Sequence, residues 1–366
     1  MRLETIDMND AAELGAFLGF PDRVYAGDPW YCAPFRSSVA SNLRRAAFSG
    51  MQSAFLARGD RGEPLARVVA RQSPTLLDDA GRRLGMLGFF EALDEPVAAR
   101  AVLDAGVSWL RESGSPTAVG PMDGDTWHTY RLNVGPRDEP PFLLEPYTPD
   151  YYERFWTEAG FQPLETYFSK RLDDIGPFAE ALAPKSERAL KRGYSLRRLR
   201  MDRYDEDMRI IFGISCRIFE GNLLYSPISL DEFLSLYDGL RALIDPDLVW
   251  FAHAPDGEAV GFVFAYPDLV RPVAAMRGRS GAIAKLRFLM ARRRPTTLNY
   301  KTLGLVPEHR RTGLDAALVH RLSESALRKG YRAANLCLIR RGNRSGALAH
   351  MLGTEFREYV LFSRSE

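Results

Sequence analysis

The segment Leu303 to Ala316, LGLVPEHRRTGLDA, has the order of residue types that can hold a phosphate. An apolar strand-like stretch (Leu303, Gly304, Leu305) runs to Pro307, a turn carries His309, Arg310 and Arg311, and a helical pattern starts at about Gly313. Backbone N–H groups at a helix N-terminus point outward and the helix dipole adds positive potential, so an anion is favoured there. Arg310 and Arg311 add charge-assisted contacts, and Gly313 lets the backbone approach with no Cβ in the way. A second dense segment, Gly120 to Pro146, brings Asp123, Asp125, Trp127, His128, Tyr130, Arg131 and Glu145 into one long loop. Long ordered loops in compact domains often carry function. Aromatic platforms with carboxylates suit an amine or ammonium, which makes Asp123, Trp127, Tyr130 and Arg131 candidate substrate contacts.

The first segment resembles the acyl-CoA pyrophosphate loop of the GNAT superfamily of N-acetyltransferases, whose pattern is Gln/Arg-x-x-Gly-x-Gly/Ala after a strand. Arg310, Arg311, Thr312, Gly313 and Leu314 fit that pattern, and Asp315 stands where the family has Gly or Ala. Downstream, Asn343 to Phe356 (NRSGALAHMLGTEF) is similar to the family's short helix, with His350 seven residues after Asn343 in place of the usual Tyr.

The resemblance implies transfer of an acyl group, in the usual case acetyl, from acetyl-CoA or another acyl-CoA to an amine of a small molecule or peptide. It implies that the backbone of Leu303, Gly304 and Leu305 holds the pantetheine arm, that residues 310 to 316, Ala316 included, hold the pyrophosphate, and that Asn343 lies on the cofactor side. His350 or Tyr359 would protonate the departing sulfur. The strand Thr297 to Leu303 has no carboxylate to serve as a base, so the base is expected from Asp125, His128 or Glu145, or the amine arrives deprotonated.

These residues need elements to position them. In the first half, strands are expected at RLETI, Ala54 to Ala57, Leu65 to Ala70, Leu84 to Phe90, TAVG and LETYFSKRL. Helices are expected around Asp10 to Gly19, from Pro96, with Val97, Ala101, Val102, Ala105, Val107 and Leu110 as its apolar stripe, and over Pro149 to Glu158. The second half repeats the order. Helices over Phe178 to Arg192, Asp205 to Phe219 and Leu230 to Ile244 precede strands at Val249 to His253, Ala259 to Ala265 and Leu298 to Val306. A helix from about Gly313 to Lys329, the strand Ala333 to Ile339, a short helix near Ser345 to Leu352 and the strand FREYVLF follow. The expected fold class is mixed α/β (α+β): two GNAT-like domains in tandem, residues 1–174 and 175–366. The first has the acids Glu91, Asp94 and Glu95 and no glycine where the phosphate loop would lie.

Of the 366 residues, 46% are hydrophobic and 26% charged, which excludes disordered and fibrous classes. No apolar run approaches the roughly 18 residues that span a bilayer, and the acidic N-terminus is unlike a signal peptide. A cytoplasmic protein with no membrane partner is the expectation. Cys32, Cys216 and Cys337 form no metal spacing, so no metal is expected.

Residues 1–170 hold 17 basic and 24 acidic side chains, and residues 171–366 hold 32 and 23. That division points to a basic donor half and an acidic acceptor half. Lys185 to Arg203 has eight basic and two acidic residues, and Arg271 to Lys301 nine and none. Such runs also suit a phosphate backbone, which supports an alternative: an aminoacyl-tRNA-dependent, amide-forming transferase of the Fem type, with tRNA as partner. A third reading is a catalytically inert ligand-binding protein.

Overall fold

The chain repeats one succession of elements: antiparallel strands, a crossover helix, then a strand parallel to the one before it. The computed structural model describes residues 1–48, 50–78, 80–238, 241, 244–342 and 353–365. In order these are β1 (Arg2–Thr5), α1 (Ala11–Gly19), α2 (Pro21–Val24), α3 (Arg36–Phe48), β2 (Gln52–Arg58), β3 (Pro64–Leu77), β4 (Arg83–Ala92), α4 (Pro96–Glu112), β5 (Thr117–Gly120), β6 (Leu132–Asn133), α5 (Tyr152–Glu158) and β7 (Gln162–Leu172). There follow α6 (Ile175–Leu190), β8 (Ser195–Arg198), α7 (Tyr204–Phe219), α8 (Leu230–Asp238), β9 (Val249–His253), β10 (Ala259–Pro267), α9 (Val270–Ala275), α10 (Ala282–Ala291), β11 (Thr297–Leu305), α11 (Leu314–Lys329), β12 (Ala333–Arg340) and β13 (Thr354–Ser365).

Two compact units result. The first comprises Met1–Tyr167, Leu269–Arg292 and Arg357–Glu366, and the second Phe168–Asp268 and Arg293–Phe356. This differs from a single cut at 174/175. The physical reason lies in the last strand: β13 pairs antiparallel with β5 and β6, and carries Val360 and Phe362 into the core around Trp156. The residues of β7 from Phe168 onward belong to the second unit. Each half of the sequence therefore closes on a strand whose later residues belong to the other unit.

In the first unit the strand order is β1-β2-β3-β4-β5-β13. β4 and β5 are parallel, a geometry that needs a crossover, and α4 supplies it. Pro96 fixes φ in the first turn of α4, which buries Ala98, Ala99, Val102, Leu103, Gly106, Val107 and Leu110. Val97, expected on that stripe, is 72% exposed, because the buried arc is set one residue later in the turn. In the second unit the order is β12-β11-β10-β9-β8, with β11 and β12 parallel and α11 as the crossover. The α7 N-terminus is tied to β8 by Asp207, which is fully buried and accepts from Arg197 at 2.8 and 2.9 Å and from Arg200 at 2.8 Å.

The stretch expected as a helix from Pro149 becomes helical at Tyr152. Periodicity did not reveal α3, β8, or the two short helices α9 and α10 inside the basic run. The helix expected near Ser345 to Leu352 lies outside the described residues, as do Asn343 and His350.

Candidate functional site

In the second unit, β11 and β12 pair only from Thr297 with Ala333 to Tyr300 with Leu336. Beyond that rung β11 continues along β10 to Leu305, while β12 turns at Leu338, whose φ is 56° and whose N–H donates to Ser169 Oγ at 3.0 Å. The strands part, and one edge of residues 302–305 faces the widening gap. Alternate backbone groups of a strand point to opposite sides, so this edge can take an extended ligand as a strand would. Buried Asn299 and Asn335 close the paired end, with Asn335 Nδ2 donating to Asn299 Oδ1 at 2.8 Å. Gly304 lies under α7, where a Cβ would meet Ile218 Cδ1 at 2.1 Å.

The loop between β11 and α11 follows directly. Arg311 and Gly313 both adopt left-handed backbone, with φ of 62° and 84°. Gly313 is the N-cap of α11 and has no side chain to close over the first-turn amides. Thr312 Oγ1 donates to His309 O at 2.8 Å, and Arg192 reaches Thr312 O at 3.4 Å. His309 Nδ1 lies 2.9 Å from the Tyr194 hydroxyl. Arg310 and Arg311 are exposed, with Arg310 Nε donating to Leu305 O at 3.2 Å. Leu314 and Ala316 are buried, and Asp315 is half-buried in the first turn, where the dipole favours a carboxylate. A helix start with glycine at the N-cap beside three arginines fits a pyrophosphate; Leu314 N–H reaches Thr312 Oγ1 at 3.4 Å, and the acids there are Asp315 and Glu308, the latter 3.2 Å from Arg217.

In the first unit β4 and β5 part in the same way, after Met86 and Val119. Here the chain fills its own gap. Met122 N donates to Leu87 O at 2.8 Å, Phe89 N donates to Asp123 Oδ1 at 2.6 Å, and Met122 bridges Tyr130. A Cβ on Gly88 would lie 2.2 Å from Met122 O, so glycine lets the loop rest on the strand.

Around this filled gap lies a polar cluster. His128 Nδ1 sits 2.7 Å from Asp125 Oδ1, which also accepts from Trp127 N at 2.8 Å. Burial lowers the His128 pKa, but the bond to Asp125 and the charges of Asp125 and Asp123 outweigh it, and the net shift is upward. With Nδ1 held by a carboxylate, Nε2 is the nitrogen left for proton transfer; it lies 3.4 Å from Asn42 Nδ2. Arg71 donates to Asn42 Oδ1 and Gln52 Oε1, each at 3.0 Å, and passes under Gly124, whose φ of 120° only glycine adopts readily.

Glu91, near the C-terminal end of β4, accepts from Tyr152 OH at 2.7 Å. Burial pushes its pKa up to about 7, against the pull of Arg67 and of hydrogen bonds from Tyr152 and Tyr25. Tyr25 stacks on Tyr31 with ring centroids 3.7 Å apart. Burial likewise raises Asp123, which the Phe89 amide and nearby cations only partly offset.

The other expected residues have structural engagements. Glu145 is buried: Oε1 accepts from Tyr359 OH at 2.6 Å and Arg357 Nε at 3.2 Å, and Oε2 from Phe142 N at 3.0 Å. Glu145 and Tyr359 thus hold each other, fixing the loop to β13 in the first unit. Arg131 lies between the rings of Tyr130 and Tyr167, 3.9 and 4.0 Å from their centroids. Glu91, Arg71 and Asn42 were missed by sequence reading, because their partners stand tens of residues away. Of the basic run 185–203, Arg197 and Arg200 are paired with Asp207 and Arg198 with Asp247. Among the described residues no group of three or more His, Cys, Asp or Glu could hold a metal ion.

No protein-family model matches the chain. It is 28% identical over 281 residues to a bacterial ceramide synthase of Caulobacter vibrioides, covering 76% of this chain and 73% of that protein. It is 23% identical over 272 residues to protein YghO of Escherichia coli, covering 73% and 68%. Among solved structures, a tandem GNAT protein from the clavulanic acid biosynthesis pathway aligns over 100% of this chain and 98% of its own, with TM-score 0.54 and 13% identity. A glucosamine N-acetyltransferase region of a fungal multi-domain beta-N-acetylglucosaminidase aligns over 99% of this chain and 38% of that longer one, with TM-score 0.55 and 15% identity. The fold is that of tandem GNAT proteins.

Proposed function

From the tandem GNAT fold as premise, we propose that the protein is an N-acyltransferase moving a long acyl chain from acyl-CoA to the primary amine of a long-chain amino alcohol. The observation that carries this reading is the 28% identity, over three quarters of the chain, to a ceramide synthase. A ceramide is such an amide. The loop at α11 supports a CoA donor, with Arg310, Arg311 and the first-turn amides on the phosphates and the 302–305 edge along the pantetheine arm. Carboxylate pairing of Arg197, Arg198 and Arg200 favours this donor over tRNA, since those cations are already engaged.

The reaction forms one C–N bond and breaks one C–S bond. The amine attacks as its free base, its nitrogen loses a proton to a base, and the sulfur leaves and gains a proton. A base works best with a pKa near the working pH; burial raises Glu91 to about 7, which makes it a candidate base, and His128, lowered by burial but raised on balance by its bond to Asp125, is the second candidate. His350 is proposed as the acid for the sulfur.

The test is a product assay by mass spectrometry with palmitoyl-CoA and sphinganine. The amide and one free CoA thiol per amide are expected, with acetyl-CoA a poorer donor. Failure with every acyl-CoA, or transfer only from aminoacyl-tRNA, overturns the proposal.

A further inference from the structure

Helix α10 is apolar on two sides, and only one of them is covered. Ala284, 4% exposed, marks the inner side. The opposite side carries Ile283, Leu286, Leu289 and Met290, exposed by 70, 57, 61 and 78%. At about 100° per residue these four fall within an arc of roughly 120°, centred away from Ala284. The other large exposed apolar side chains among the described residues, such as Met1, Leu77 and Val97, are scattered.

Charge defines the rim of this arc. Lys285 and Arg287 flank it on either side of the helix, and both are exposed. Arg277, Arg279, Arg292 and Arg293, also exposed, lie before and after it, and no acid occurs between Arg271 and Lys301. The α9–α10 segment is seated within the first unit by its inner parts: Cys32 Sγ donates to Val270 O at 3.4 Å, Arg271 covers the Trp30 ring at 4.8 Å, and a Cβ on Gly278 would lie 2.7 Å from Pro34 O. The outer face of α10 stands clear.

We propose that α10 is a membrane-docking helix that lies in the interface of an anionic bilayer, its apolar arc among the acyl chains and its cations on the lipid headgroups. A short helix with an apolar face and a basic rim binds lipid in this way without spanning it, and no described helix is long and apolar enough to cross a membrane. Long Lys and Arg stems can lie along the apolar surface while their charges reach the headgroups. A second copy of the chain is a poor occupant, because a two-fold contact through this face would set one all-basic rim against another. The expectation of no membrane partner came from the lack of a spanning run, and a helix lying in the interface needs none. The proposal does not rest on the acyl-transfer reading.

The test is sedimentation of the full chain with vesicles of phosphatidylcholine alone and of phosphatidylcholine with phosphatidylglycerol. Binding to the anionic vesicles, weakened by high salt, is expected. Ile283→Asp with Met290→Asp should lower the partition about tenfold or more, and Lys285→Glu with Arg287→Glu should remove the preference for anionic lipid. All four sites are exposed, so the melting temperature of the variants serves as the folding control. No binding to anionic vesicles at low salt overturns the proposal. So does equal binding by the Ile283→Asp, Met290→Asp variant, or a wild-type dimer that this variant dissociates.

Discussion

Glu91 is a carboxyl whose environment was made by residues distant in sequence: Tyr25, Arg67 and Tyr152 converge on it, and burial sets its pKa at about 7. A carboxyl raised in the fold is neutral at low pH in both folded and unfolded states. As pH climbs from about 4.5 through 7, the unfolded chain gives up its proton more readily, so stability falls over that window. Glu91→Gln should therefore match the wild type at pH 4 and exceed it at pH 8 by about 2 kcal/mol, read by urea titration at both values. Equal stability of the two proteins at pH 8 would mean that the carboxyl is not desolvated. If Glu91 also takes the amine's proton, the same variant loses the rise of kcat near pH 7. Nothing local in EALDEP signals this, since neighbouring acids there are exposed. The order of elements around Arg310 was legible because its parts are contiguous: a strand, a turn with two arginines, an αL glycine and a helix occupy consecutive residues.

At the scale of elements, α4 and α11 were legible from periodicity, and α4 also from Pro96 at its start, because one helix face carries its own pattern. Pairing between strands far apart in sequence carries no such pattern. β13 reads as the second half's closing strand, yet it pairs with β5 and β6 and places Phe362 against Trp156, with ring centroids 6.2 Å apart. A fragment 1–174 lacks this strand and the α9–α10 segment. It is expected to show no cooperative thermal transition by circular dichroism, since the lost Phe362 side chain alone is worth about 3–5 kcal/mol. Addition of a peptide covering residues 354–366 should recover part of the transition. A fragment that melts cooperatively by itself would contradict the assignment of β13 to the first unit's core.

At the scale of the molecule, the charge division changes meaning when residues are sorted by unit. Along the chain it is 17 basic and 24 acidic against 32 and 23. By unit it becomes 24 basic and 26 acidic in the first and 25 and 21 in the second. The shift comes from the basic α9–α10 segment, which belongs to the first unit. The second unit's excess is modest, which suits one pyrophosphate better than an extended phosphate backbone. The central claim is that the start of α11, with Gly313 at its N-cap, holds the phosphates of an acyl-CoA donor. Calorimetric titration of CoA into the wild type and into Arg310→Ala with Arg311→Ala tests it most directly. Saturable binding that weakens about tenfold or more in the double variant is expected, since each charge-assisted hydrogen bond is worth about 1.5–3 kcal/mol. Equal affinity in the two proteins, or no binding of CoA to the wild type, would contradict it.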